Sequence, residues 1–125
     1  MSMESLSPQA LEQVAQYFQA LSEPTRLQIL NLLRDGERNV GEMAVACGFT
    51  AANVSRHLAM LTKQGLVARE ARGTSVYYRI ADESVYALCD LVCGSIARKL
   101  LAQARDGAAF SAAAGRVGKP GDTGR

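Results

Sequence analysis

Two cysteines four residues apart, in Cys89-Asp90-Leu91-Val92-Cys93, are the side chains of this sequence most suited to direct chemistry. On a helix an i,i+4 pair shares one face, with Cβ atoms about 5–6 Å apart. Two thiolates so placed can both reach one soft ion at about 2.3 Å each. A disulfide inside an intact helix is less comfortable, because near-parallel Cα–Cβ vectors do not give the required torsion of about 90°. Polysulfide bridging, or pairing across two subunits, relaxes that constraint. The same pair also suits plain packing as small apolar fillers of a subunit seam, since free cysteine is commonly buried. Asp90 points away from the shared face. Cys47 falls on the apolar stripe of a different, shorter helix, where it is either core or a third thiolate for the same ion. Three cysteines, an odd number, and an N-terminus without a signal-peptide pattern argue against a secreted disulfide framework. No apolar run approaches the roughly 18–20 residues of a membrane helix, so a cytoplasmic protein with no membrane partner is expected.

A second set of residues has the chemistry of recognition rather than reaction. In Thr50–Gly65, Val54, Leu58 and Leu61 recur at helical spacing and point into a core. Ala51, Ala52, Ser55, Arg56, Ala59 and Lys63 fall on the other side. A helix presenting small, hydroxyl and guanidinium groups can approach a surface closely and then hydrogen-bond to it. The major groove of DNA rewards that combination, with Arg reaching guanine edges and Ser or Asn reaching bases or phosphates. An ordinary surface helix has the same look, and its flanks decide between the two. His57, the single histidine, has poor company as a metal ligand; a structural or DNA-proximal role is expected. No Gly-rich phosphate loop, carboxylate pair or supported Cys/His or Ser/His/Asp arrangement points to an enzyme.

These residues must be positioned by one small domain, since 125 residues support a single core. The formal charge of +2 is nearly balanced, yet Ala51–Arg79 carries Arg56, Lys63, Arg69, Arg72 and Arg79 against Glu70 alone, a local basic footprint. Residues 1–7 are expected to be loose. Pro8 opens a helix running to about Leu21, striped by Leu11, Val14, Ala15, Phe18 and Leu21. Ser22 caps a second helix, with Glu23 and Pro24 in its first turn and Leu27, Ile29, Leu30, Leu32 and Leu33 around much of its circumference. It ends at Asp35-Gly36. After a polar turn, Glu37-Arg38-Asn39, a short helix carries Val40, Met43, Ala44 and Cys47; Gly48 stops it and Phe49 plugs the core. The Thr50–Gly65 helix follows, making a helix-turn-helix whose second helix enters the groove.

Beyond Gly65 the period falls to two. Leu66–Glu70 and Ser75–Ile80 read as strands joined through Ala71-Arg72-Gly73-Thr74, a hairpin whose tip, with Arg72 and Thr74, suits phosphate or minor-groove contact. Asp82 caps a last helix reaching about Ala104, striped by Val85, Leu88, Val92, Ile96 and Leu100. Its apolar surface exceeds what a small core needs, so the first and last helices are the expected dimer interface. Residues 8–104 thus form the domain, and residues 105–125, small and Gly-rich, read as a disordered tail. The fold class is mainly α with a small β-hairpin (α+β), in the order helix, helix, helix-turn-helix, hairpin, helix.

That order, with Ala20–Leu33 (ALSEPTRLQILNLL), Val54–Val67 (VSRHLAMLTKQGLV) and Gly73–Ile80 (GTSVYYRI), resembles the ArsR/SmtB family of winged helix-turn-helix repressors across roughly Leu11–Leu101. The resemblance implies a homodimer on a palindromic double-stranded operator, repressing until an inducer acts. By position it places Thr50, Ala51, Ala52, Asn53, Ser55, Arg56, His57 and Lys63 at or in the recognition helix, and Arg72 and Thr74 in the wing. Relatives sensing arsenic or cadmium carry a Cys-x-Cys pattern in the third helix; Asn39-Val40-Gly41 stands there instead. Zinc- and nickel-type relatives place Asp and His ligands on the last helix, where this chain has Asp82 but also Ser84, Ser95 and Arg98. What remains is Cys89 and Cys93. The expected inducer is a thiophilic ion such as As(III), Sb(III), Cd(II) or Pb(II), with no obligatory cofactor. The alternatives are reactive sulfur or oxidants acting on the same thiols, or a winged helix reused as an interaction module.

Overall fold

The computed structural model describes residues 2–117, and five α-helices and a three-stranded antiparallel sheet make up most of them: α1 (Pro8–Ala20), α2 (Pro24–Leu32), β1 (Arg38–Asn39), α3 (Val40–Cys47), α4 (Ala51–Lys63), β2 (Val67–Arg72), β3 (Ser75–Ile80) and α5 (Ser84–Val117). Single 3₁₀ turns occupy Met3–Ser5 and Leu33–Asp35. The chain divides into two compact units, Met1–Glu83 and a second beginning at Ser84 that contains α5. Among the described residues no helix is long and apolar enough to cross a membrane.

Each helix of the first unit starts where its orphan N–H groups find an oxygen. The Ser7 hydroxyl accepts from the Ala10 N–H, and Pro8 occupies the first turn of α1 without loss. The expected Ser22 cap of α2 is corrected: Glu23 stands at the cap, its Oε1 accepting from the Thr25 and Arg26 N–H groups at 2.8 and 3.3 Å. Its carboxylate reaches the second and third N–H groups of the turn, while the Ser22 hydroxyl turns back to the Gln19 carbonyl at 2.8 Å. In α3, Asn39 and Glu42 form a reciprocal capping box. Gly48 closes that helix at φ 73°, left-handed backbone that a side chain disfavours.

The core of this unit gathers Ile29, Leu30, Leu33, Met43, Val54, Leu58, Leu61, Leu66 and Val67, all nearly or fully buried. From α2 it takes one stripe: Leu27 is exposed and Leu32 only half-buried, so this helix is less uniformly apolar in its surroundings than in its sequence. Phe49 does not plug the core. It is 42% exposed, carried outward just past the turn at Gly48.

The hairpin is larger than its sequence signals. β2 runs through Arg72, leaving a two-residue turn, Gly73-Thr74, between Arg72 and Ser75. Gly73 at φ 61° supplies the positive φ that a hairpin turn of this kind requires at its first central position. The expected polar turn at Glu37-Arg38-Asn39 contains a strand: Arg38 and Asn39 pair antiparallel with Tyr78 and Tyr77, giving the sheet order β1-β3-β2. A two-residue strand has no periodicity of its own and exists only through its distant partner.

In the second unit, α5 opens at Ser84 and continues past Ala104 to Val117. The expectation of a disordered tail from Arg105 is therefore corrected as far as Val117. Alanines 102, 104, 108, 109 and 112 have the highest helix propensity of any residue, which sustains a helix without an apolar stripe. Residues 118–125 of that expected tail lie outside the described residues.

Candidate nucleic-acid interface and thiol pair

α4 is two-faced. Val54, Leu58 and Leu61 are completely buried, whereas Ala51, Ala52, Ser55, Arg56, Ala59 and Lys63 are exposed. The helix starts at Thr50, whose hydroxyl accepts from the Asn53 N–H at 3.1 Å. Asn53 in turn accepts through Oδ1 from the Arg56 guanidinium, so the two recognition-type side chains orient one another on the outer face. Beside Ser55 lies an open cleft of about 410 Å³, bounded by Asn39, Val40 and Gly41 at the start of α3 and by Thr74, Ser75 and Val76 of the hairpin. The outer face of α4 and the wing thus border one concavity.

His57 does not belong to that outer face. It is only 6% exposed, turned inward by its position one residue before Leu58, and its Nδ1 lies 3.1 Å from Nη1 of Arg26. A guanidinium can only donate, so Nδ1 accepts and the imidazole is neutral with its proton on Nε2. Burial pushes the His57 pKa below its ordinary value of 6.5; Glu23, with Oε1 3.9 Å from Nδ1, opposes this, and the charges of Arg26 and Arg56 reinforce it. Arg26 is itself buried. Its Nε donates to the Ala20 carbonyl at 2.7 Å and its Nη2 to the Gln19 carbonyl at 3.2 Å. One side chain from the first turn of α2 therefore satisfies carbonyls at the end of α1 and grips the inner face of α4. Sequence reasoning missed Arg26, although a lone Arg among Leu and Ile on a core helix is the signal of a buried, partnered cation.

Arg72 is placed differently from the free basic tip that the sequence suggests. It ends β2, and its guanidinium folds back in a bidentate pair with Glu37 (Nη1–Oε2 2.5 Å, Nη2–Oε1 2.8 Å), with a further contact from Nη2 to Glu70 Oε1 at 3.0 Å. The Tyr77 ring centroid lies 4.6 Å from its central carbon. Hydrogen bonding to Arg72 holds the Glu37 carboxyl below its ordinary pKa, with desolvation opposing and the charges of Arg72 and Arg79 reinforcing. Thr74 is exposed in the turn beyond it.

The cysteines lie in both units. Cys47 is half-buried in α3, and burial pushes its thiol pKa up, away from thiolate chemistry at neutral pH. Cys89 is half-buried and Cys93 exposed, one helical turn apart on α5. Among the described residues, no three His, Cys, Asp or Glu side chains come together as a metal-binding group.

Comparison with known proteins agrees with this architecture. Residues 23–69 match the family model described as bacterial regulatory protein, arsR family. The chain is 46% identical over 82 residues to the HTH-type transcriptional regulator Rv0324 of Mycobacterium tuberculosis; the match covers 66% of this chain but only 36% of that longer protein. It is 41% identical over 85 residues to the regulator NmtR of the same organism, covering 68% of this chain and 71% of NmtR. The solution structure of the homodimeric winged helix-turn-helix DNA-binding domain Mb0332 from Mycobacterium bovis superposes with a TM-score of 0.66 at 40% identity, covering 78% of this chain and 94% of that one. With its helix-turn-helix, wing and these relatives, the chain belongs to the ArsR family of bacterial transcriptional regulators.

Proposed function

We propose that the protein is a homodimeric repressor that holds a palindromic operator through α4 and the wing and lets go when an inducer acts on Cys89 and Cys93. The observation that carries the DNA-binding part is the division of α4: an inner face at zero exposure fixes the helix, and the outer face offers Ser55 and Arg56 beside the wing cleft. Arg56 reads a guanine edge in the major groove, Ser55 and Asn53 reach bases or phosphates, and Thr50, Ala51, Ala52, Lys63 and Thr74 flank them. His57 serves by setting the helix rather than by touching DNA.

Dimerisation is supported from two places. In α1, Leu11 and Phe18 are 41% and 49% exposed; in α5, Leu91, Val92, Ile96, Leu100 and Leu101 are each about half exposed or more. Apolar surface on that scale is what a second copy covers. The two recognition helices then sit about 34–36 Å apart to enter successive major grooves.

A thiophilic ion such as As(III), Sb(III), Cd(II) or Pb(II) is the favoured inducer, because Cys89 and Cys93 supply two soft ligands one turn apart on the helix expected at the subunit seam. A second copy would complete the coordination. Reactive sulfur is the competing reading, and the exposure of Cys93 favours it. The test titrates the reduced protein–operator complex with each ion and with polysulfide, for wild type, Cys89→Ser and Cys93→Ser. Loss of ion-driven release in both variants is expected; wild-type release by both variants with every inducer refutes the thiol reading.

A further inference from the structure

Arg72, exposed at the end of β2, is held by two carboxylates, and the geometry of that cluster bears on how the wing holds DNA phosphates. We propose that Glu37 limits sequence-independent DNA binding by competing with phosphate for Arg72. The inference rests on the DNA-binding reading above.

The fork of a guanidinium matches carboxylate and phosphate oxygens in the same bidentate manner. Glu37 occupies both Nη groups of Arg72, Glu70 shares one of them, and Tyr77 packs against the guanidinium. A phosphate arriving at the wing must therefore displace Glu37 before Arg72 can clamp it. Arg79 also acts on Glu37, so the cluster is close to neutral and Arg72 offers a phosphate little free charge until that exchange takes place. Glu37 lies 35 positions before Arg72, in the segment leading to β1. The contact thus draws the tip toward a part of the domain that pairs with β3 and not with β2.

Binding to arbitrary duplex depends almost wholly on phosphate neutralisation, whereas binding to an operator adds base contacts from α4. Withholding one phosphate clamp lowers affinity for arbitrary duplex by the full value of that contact, with no base contact to add to what is left. Glu37 thereby acts on the phosphate-driven part of binding and touches no DNA base.

The experiment measures affinity for a duplex of arbitrary sequence between 50 and 200 mM salt, for wild type, Glu37→Gln, Arg72→Ala and the double variant. Each phosphate contact steepens the logarithmic salt dependence by about 0.9, or about 3.5-fold in affinity over a fourfold change in salt. Glu37→Gln is expected to bind more tightly at 50 mM salt and to lose about 3.5-fold more affinity than wild type by 200 mM. In the Arg72→Ala background the same substitution should change neither quantity. If Glu37→Gln gains equally with and without Arg72, Glu37 is only a general negative charge and the proposal fails. Weaker binding by Glu37→Gln also overturns it, since Glu37 would then be placing the wing for DNA. Salt-independent or absent binding by the wild type to every duplex tried would instead overturn the DNA-binding reading itself.

Discussion

Replacing Arg26 with methionine, similar in length and without charge, tests whether one buried side chain joins three helices. Three contacts are lost, at 2.7 Å to the Ala20 carbonyl, 3.2 Å to the Gln19 carbonyl and 3.1 Å to His57 Nδ1. The Gln19 carbonyl keeps the Ser22 hydroxyl at 2.8 Å. The Ala20 carbonyl and His57 Nδ1 lose the Arg26 donor, and a buried acceptor without a partner costs about 1–3 kcal/mol. Relief of the desolvation of a buried guanidinium offsets part of this. The net expectation is a loss of about 2–4 kcal/mol, or at least about 8 °C in Tm for a domain of this size. Urea and thermal unfolding at one fixed protein concentration, compared with the exposed Arg69→Met, provide the measurement. An Arg26→Met shift within about 0.5 kcal/mol of the Arg69→Met shift would mean that the three contacts contribute nothing and the reasoning is wrong.

Other outcomes follow from the same geometry. Because the His57 pKa is lowered in the folded state, the unfolded chain takes up a proton near pH 6.5 that the folded chain resists, so stability is fully present above pH 6.5 and falls as pH drops below it. His57→Gln should flatten that fall between pH 7.5 and 5.5, and an unchanged slope would exclude His57 as its source. Arg56→Ala should cost about 1–3 kcal/mol of operator binding and relax preference at one base pair; a uniform loss across sequences would make Arg56 a phosphate contact instead. Ile96→Glu combined with Leu100→Glu, at positions 51% and 60% exposed, should leave a folded monomer in sedimentation, and an intact dimer would move the interface off this face of α5.

Much of the site was legible because its signals are local. The Val54/Leu58/Leu61 seam, the stop at Gly48 and the bounds of β3 all depend on neighbours within a few residues, where periodicity and capping chemistry operate. What escaped was set at long range or by quieter propensities. Pairing of Arg38 with Tyr78, the Glu37–Arg72 clamp and the Arg26–His57 bond each join residues more than 30 positions apart, which no window can show. His57 sits on the boundary of the α4 stripe, where its type alone leaves a structural and a DNA-proximal role both open; its burial against Arg26 depends on a residue of another helix. The extension of α5 failed for a different reason: an Ala-rich segment lacks the apolar period that identifies helices, yet costs least to keep helical.

The sheet order β1-β3-β2 leaves the outer side of β2 as an open edge among the described strands. Such an edge presents unpaired N–H and C=O groups to any other chain able to extend the sheet, the usual beginning of fibrous aggregation. Here Arg69, Glu70 and Arg72 crowd that edge with charge over residues 69–72, all exposed. A second copy adding its own β2 in parallel register would set Arg69, Glu70 and Arg72 each against its own like charge. The wing that suits this protein to DNA is thereby kept from suiting it to itself, and self-association is left to the helices.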